Sequence, residues 1–341
     1  VTTLAAEALV TFLRAQGLCD LEAVTMAPLS GGQSNPTYVV ETASRRMVLR
    51  KKPPGALLAA AHAIDREFRV MGALAPTDVP VPEMLAYSED LSILGTPFYL
   101  MGFVEGRVLF DQSLPGMELH ERREIYLEMC KVLGAIHAVN LKSSGLETFG
   151  KAGNYFSRQV ARWSRQCAAS TLPLPDALNR LMDWLPSRIP DRQETTLLHG
   201  DYRLDNLMFH PSEPRVIAVL DWELSTLGDP LADLSYQCMA WHIPPQLWRG
   251  VAGLDLTALG IPDEAQYLKL YAQLTGRHVP EDWDFYLAFN LFRMAAILHG
   301  IGERAAVGNA AAADAVEMGR KAGPIAEIGW ERACRLQERL K

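Results

Sequence analysis

The sequence predicts a bilobal α+β chain: a β-rich amino-terminal lobe with one internal helix, and a mainly helical carboxy-terminal lobe. Three observations lead there. Short β-like runs dominate the first hundred residues, segments with helical spacing of apolar positions fill most of the rest, and Gly and Pro gather between segments. The border is expected near 102–106, giving an amino-terminal lobe of 1–102 and a carboxy-terminal lobe of 103–341.

In chain order, residues 4–16 place Leu4, Ala8, Leu9, Phe12 and Leu13 at helical spacing, with Gly17 as the stop. Strands are expected at 24–29, 37–42 and 46–51, separated by the turn-rich Ser30–Pro36 and by Ala43-Ser44. A helix over 60–74 and strands at 84–88 and 97–103 complete this lobe. Beyond Gly106, helices are expected over 117–140, 154–168, 176–188, 230–242, 263–275, 283–304 and 308–338. Among them sits one compact β-like patch at 196–199, 206–209 and 215–221. A ligand is expected between two such lobes.

Composition narrows the function classes. With 341 residues the chain can bury a large core, about two domains' worth. A net charge of −7 argues against a nucleic-acid binder, which would show a basic face. Five scattered cysteines without a C-x-x-C pair read as reduced thiols, not as a disulfide framework or a zinc site. No secretory pattern opens the sequence and no apolar run is expected to span a bilayer, so a cytoplasmic protein without a membrane partner is expected.

The chemistry concentrates in His199-Gly200-Asp201-Tyr202-Arg203-Leu204-Asp205-Asn206 and in the apolar run 216–220 that ends at Asp221. A loop between short strands can turn Asp201 and Asn206 toward one point, and a buried strand delivers Asp221. Phosphoryl transfer needs such a set: a carboxylate to orient and accept the hydroxyl proton, and oxygen ligands for Mg²⁺ on the nucleotide phosphates. Each of the three is also an ordinary turn former or strand-end residue when taken alone.

The spacing H-G-D-x-x-x-x-N, followed by Asp-Trp at the end of a strand, resembles the aminoglycoside phosphotransferase and choline kinase group of the protein-kinase-like superfamily. Arg50-Lys51-Lys52-Pro53-Pro54-Gly55 and Leu220-Asp221-Trp222-Glu223 with Gly228-Asp229-Pro230 resemble the kinase-like modules associated with acyl-CoA dehydrogenases. This resemblance implies a protein-kinase-like fold and an ATP- and Mg²⁺-dependent transfer to a small-molecule hydroxyl, with a possible functional link to an acyl-CoA dehydrogenase. It implies Asp201 as the base, and Asn206 and Asp221 as magnesium ligands. Arg203 then stabilises charge or forms a salt bridge to Asp205.

For the nucleotide the resemblance points to Gly31, Gly32 and Ser34 as a phosphate-covering loop, although the pattern departs from G-x-G-x-x-G. Met47-Val48-Leu49-Arg50 takes the place of the kinase V-A-I-K strand. Alternation puts Val48 and Arg50 on one face and Leu49 and Lys51 on the other, so Arg50 stands where most kinases use Lys. Glu67 is its expected acidic partner, and Phe103 and Val104 the expected backbone contacts to adenine. His199 is expected to hold the loop backbone, Asp229 or Asp233 to brace it, and His137 to be a satisfied core histidine. Trp241, His242, Arg293, Glu303 and Arg304 could line a substrate pocket, with surface salt bridges as the plainer account. Two alternatives stay open: a catalytically weak or inactive nucleotide-binding module, and a metal hydrolase using His199, Asp201, Asp221 and His242.

Overall fold

The computed structural model describes residues 3–20, 23–29, 35–53, 64–191, 194–306 and 314–339. It divides into two compact units, Val1–Gly106 with Ile217–Leu224, and Arg107–Val216 with Ser225–Lys341. The return of 217–224 to the first unit is not visible in a linear border. It follows from packing, since the short 3₁₀ turn Trp222–Leu224 lies against the helix Ile64–Leu74.

The first unit contains, in order, α1 (Thr3–Ala15), β1 (Thr25–Pro28), β2 (Thr37–Glu41), β3 (Arg46–Lys51), α2 (Ile64–Leu74), β4 (Met84–Ser88), α3 (Leu91–Leu94) and β5 (Phe98–Gly102). Its five strands form an antiparallel sheet in the order β1-β2-β3-β5-β4. The β2–β3 hairpin turns through Thr42, whose hydroxyl and N–H meet the backbone of Arg45. One sheet face supplies Met47, Leu49, Phe98 and Leu100 to a core shared with Leu9 and Leu13 of α1 and Leu94 of α3. Strand alternation then leaves Val48, Arg50 and Tyr99 for the opposite face. The one-turn α3 was not expected; Asp90 caps its start and Gly95, at φ 75°, its end.

The second unit begins with β6 (Arg107–Val108), α4 (Leu119–Ala138), α5 (Tyr155–Ala168) and α6 (Asp176–Trp184). Then come β7 (Thr196–Leu198), β8 (Leu207–Phe209), β9 (Val216–Val219), whose course leads into the first unit, and β10 (Thr226–Gly228). Finally there are α7 (Leu231–Cys238), α8 (Leu256–Leu259), α9 (Glu264–Thr275), α10 (Trp283–Ala306), α11 (Ala315–Arg320) and α12 (Ala322–Arg339). β6 pairs with β8 and β7 with β10, two short ladders that fix the ends of the 199–206 loop. α9 starts in a capping box between Asp263 and Gln266.

Two sequence expectations need correction here. The single helix over 308–338 is two helices, α11 and α12, while 307–313 lie outside the described residues. α11 packs so closely on α10 that a Cβ at Gly302 would stand 2.9 Å from Gly319 Cα, so this crossing needs glycine on both sides. Secondly, α10 is long and apolar enough to cross a bilayer by length and composition, contrary to the expectation of no such run. Its apolar window is 83% buried, and it packs on α12, α11, α5, α7 and α6, so it is the core helix of the second unit.

Candidate active site

In the first unit one guanidinium faces three carboxylates. β3 presents Arg50 with Nε 3.2 Å from Glu67 Oε2, and Nη2 2.7 Å from Asp221 Oδ1 and 3.8 Å from Glu223 Oε2. Glu67 comes from the first turn of α2 and is 1% exposed. Its oxygens also accept from Asn35 Nδ2 at 3.1 Å and from Tyr99 OH at 2.9 Å. Burial raises the Glu67 carboxyl, Arg50 opposes, and the neighbouring Asp221 adds to the rise, leaving it at about 7. For Arg50 burial disfavours charge, but Glu67, Tyr99 and Asp221 outweigh it and hold the guanidinium above its ordinary value. Asp221 sits at φ 63°, a left-handed conformation that Asp tolerates better than bulkier residues. Behind it Trp222 is fully buried and donates its indole N–H to Val219 O at 3.0 Å.

Lys51 points the other way. Its Nζ donates to Leu94 O at 2.7 Å, and partial burial lowers its pKa, so it is not the plain exposed charge that alternation alone suggested. Phe103 donates its backbone N–H to Arg46 O at 3.3 Å and lies beneath the Arg46 guanidinium, 3.9 Å from its ring centroid. That bond engages the Phe103 amide within the sheet; Val104 is half-buried just after it. Gly31, Gly32 and Ser34 lie outside the described residues.

The second unit builds a loop around Asp201. Gly200 turns at φ 84°, in the region that favours glycine, directly after the buried His199. Asp233, in the first turn of α7, accepts the N–H groups of His199 at 2.6 Å and Gly200 at 2.9 Å. Of the two expected braces, Asp233 holds this loop directly, and Asp229 accepts from Leu231 N at 2.9 Å at the start of α7. Burial opposes the Asp233 charge, but His137, His199 and the Gly200 N–H favour it and lower its pKa. His137 stands behind Asp233, with Nε2 3.6 Å from Asp233 Oδ2 and Nδ1 2.7 Å from Tyr271 OH. Burial lowers its pKa, against the pull of Asp233. His199 Nδ1 accepts from Asp201 N at 3.2 Å, which ties the imidazole to the loop backbone.

Around the Asp201 carboxylate the contacts are dense. Asn206 Nδ2 donates to Asp201 O at 2.8 Å and to Oδ2 at 2.9 Å, which leaves the Asn206 amide oxygen as the atom able to hold a cation. Arg203 bridges Asp201 Oδ2 at 3.0 Å and Asp205 Oδ2 at 2.7 Å, and Arg249 Nη1 closes on the same Asp205 oxygen at 2.8 Å. Burial disfavours the Arg203 charge, yet Asp201, Tyr236 and Asp205 outweigh it and raise its pKa.

Sequence reading gave no role to Tyr236 or to the Asn35 side chain, and expected Arg293 in a substrate pocket or a surface salt bridge. Tyr236 of α7 donates its hydroxyl to Asp201 Oδ1. Arg293 of α10 donates to Gly200 O at 2.6 Å and sits 5.2 Å from the Tyr236 ring centroid. It is buried rather than a surface ion pair, and an arginine inside Phe289-Asn290-Leu291-Phe292-Arg293-Met294 was the available signal, because such a charge must find partners. Asn35 is fully buried against Glu67 and carried no pattern of its own. By contrast, Glu303 takes the Thr171 N–H and hydroxyl, and His242 Nε2 lies 2.9 Å from Glu264 Oε2. Among the described residues no group of three or more His, Cys, Asp or Glu side chains is set to hold a metal, which leaves the hydrolase alternative without a centre.

The sequence profile of the phosphotransferase enzyme family matches residues 25–270. The chain belongs to that family. A Ralstonia eutropha phosphotransferase-family protein, assigned to the aminoglycoside phosphotransferases, is 52% identical and superposes with a TM-score of 0.89 over 96% of this chain and 98% of its own. An aminoglycoside phosphotransferase solved with AMP-PNP and hygromycin B shares the fold at a TM-score of 0.63 and 16% identity, covering 96% of this chain and 99% of that one. The protein-kinase-like phosphotransferase fold is thereby established. Acyl-CoA dehydrogenase family member 10 of Mus musculus is 50% identical over 307 residues, covering 89% of this chain but 29% of its own length. The chain thus spans about a third of that curated relative.

Proposed function

We propose that this phosphotransferase is a small-molecule O-kinase that transfers the γ-phosphoryl group of ATP to a hydroxyl. The observation that carries the reading is the Asp201 loop: a carboxylate fixed by named donors, beside an asparagine whose amide nitrogen is committed and whose oxygen is left as a ligand. Asp201 takes the acceptor's proton, and Arg203, two residues on, stabilises negative charge on the transferred group. Asn206 and Asp221 would hold magnesium, whose charge offsets that developing on the phosphate oxygens. The donors fit a divalent cation: the Asn206 amide oxygen, left by its committed nitrogen, and the Asp221 carboxylate are each oxygens of the kind a hard cation takes. Arg50, steadied by Glu67, would engage the α- and β-phosphates, and Gly31, Gly32, Ser34 and the backbone of Phe103 and Val104 would complete nucleotide binding. AMP-PNP in a fold relative supports the nucleotide, and hygromycin B there supports a small-molecule acceptor. The name of the mouse relative supports a functional link to an acyl-CoA dehydrogenase and an acceptor hydroxyl on an acyl compound. A cytoplasmic location without nucleic-acid or membrane partners completes the proposal.

The direct Arg50–Asp221 ion pair at 2.7 Å favours a second reading, a nucleotide-binding module without turnover, because it joins two groups that the kinase reading assigns to nucleotide and metal. Calorimetry with ATP, with and without Mg²⁺, followed by turnover against a panel of hydroxylated metabolites, separates the two. Magnesium-dependent binding with transfer supports the kinase; binding without transfer to any acceptor supports the module; no binding contradicts both.

A further inference from the structure

The geometry points to Tyr236 as a positioning residue that selects which oxygen of Asp201 receives the acceptor proton, an inference resting on the kinase reading above. A carboxylate offers about four lone-pair sites over its two oxygens. Among the described residues, Oδ2 receives Arg203 Nε at 3.0 Å and Asn206 Nδ2 at 2.9 Å, which fills its two sites. Oδ1 receives the Tyr236 hydroxyl alone. One site on Oδ1 is thus left to accept a proton, and its direction is set by Tyr236.

Tyr236 is itself held. It lies on α7, the helix whose first turn carries Asp233 and through it the N–H groups of His199 and Gly200. Its ring packs against the buried Arg293 guanidinium, which also grips Gly200 O at 2.6 Å. Asp201 is therefore fixed from both ends, its backbone by Asp233 and Arg293 and its carboxylate by Tyr236, Asn206 and Arg203. Free rotation of the carboxylate about its last bond would exchange the two oxygens; the Tyr236 hydroxyl opposes that exchange by occupying one direction on Oδ1. In the transfer step the acceptor oxygen forms a bond to the γ-phosphorus, the bond from that phosphorus to the β–γ bridging oxygen breaks, and the acceptor proton moves to Asp201 Oδ1. ADP leaves with the electron pair of the broken bond. Tyr236 keeps its own proton throughout; burial, Asp201 and its bond to Asp201 all hold that phenol well above its ordinary pKa.

A double-mutant cycle tests the assignment, with Mg·ATP as donor and water as acceptor, read as phosphate release. Tyr236→Phe removes only the hydroxyl and is expected to lower kcat about 10- to 100-fold, the scale of one hydrogen bond to a charged group. KM for Mg·ATP should stay within about threefold. In an Asp201→Asn background the same change should cost almost nothing, because the group it positions is gone. Proton NMR adds a readout independent of turnover: an exchange-protected hydroxyl resonance that disappears in Tyr236→Phe and also in Asp201→Asn. If Asp201→Asn is inactive while Tyr236→Phe retains wild-type kcat, or if the two losses multiply, the positioning role is overturned and the kinase reading survives. If the wild type releases no phosphate, the hydroxyl resonance alone decides the positioning role; if Asp201→Asn matches a wild type that does, the kinase reading fails and takes this assignment with it.

Discussion

At the scale of single residues the structure separates two adjacent cations that a sequence shows side by side. Arg50 is turned to Glu67, Asp221 and Glu223, while Lys51 reaches the carbonyl of Leu94 on the other face. Arg50→Ala should raise KM for Mg·ATP at least tenfold and lower turnover, because a charge-assisted contact to phosphate is lost and the buried Glu67 carboxylate loses its cation. Lys51→Ala should cost less than about 1 kcal/mol of stability, one half-exposed hydrogen bond, and leave KM unchanged. Steady-state kinetics on the pair decides the matter: an inactive Lys51→Ala beside an active Arg50→Ala would place the wrong side chain on the phosphates. Metal gives a second residue-level expectation. Asp221→Ala should weaken magnesium-dependent nucleotide binding more than Asn206→Ala does, since a carboxylate outweighs an amide as a ligand for a hard cation. Titration of Mg²⁺ at fixed ATP reads the difference, and equal affinity in wild type and Asp221→Ala would remove Asp221 from the metal site.

Whole elements matter for what they carry to the Asp201 loop. α7 brings Asp233 in its first turn and Tyr236 one turn later, and α10 brings Arg293 out of an otherwise apolar core helix. Asp233→Ala should destabilise the protein by about 3 kcal/mol, because two buried N–H groups and His137 lose a charged partner at once. Chemical denaturation measures it; a change below about 1 kcal/mol would show that the loop is held by something else. These contacts also explain what the sequence could and could not disclose. Strands such as β3 and helices such as α4 and α10 were legible because alternation and 3.6-residue periodicity are local. Asp201, Asn206 and Asp221 stood out through spacing. Tyr236 did not, and Arg293 was noticed but given the wrong role, because both roles depend on α7 and α10 meeting the loop 35 and 93 residues away in sequence. The two-residue strand β6, the one-turn helices and the break before Ala322 escaped for a simpler reason: too few positions to show a period.

Taken as a whole, the chain is a phosphotransferase-family fold of two compact units, one centred on a five-stranded sheet and the other on α10. Its stability should respond to pH through His137. Burial keeps the folded-state pKa of His137 below the ordinary 6.5, so the folded chain prefers the neutral imidazole. The linkage sign follows: this contribution is fully present above about pH 6.5 and is lost as pH falls through the folded-state value. His137→Gln should therefore flatten the fall in unfolding free energy between about pH 6.5 and 5, measured as the difference between variant and wild type. An identical pH slope in both proteins would count against it. The claim at the centre of the account is that Asp201 serves as the base of a magnesium-dependent phosphoryl transfer. Its most direct test is transfer of label from γ-³²P-ATP onto a panel of small hydroxylated metabolites, run with wild type and Asp201→Asn side by side and with ATP affinity measured for both. The account predicts magnesium-dependent labelling by the wild type, and a loss of about 10²- to 10⁴-fold in Asp201→Asn at nearly unchanged ATP affinity. Equal labelling by the two proteins would contradict it.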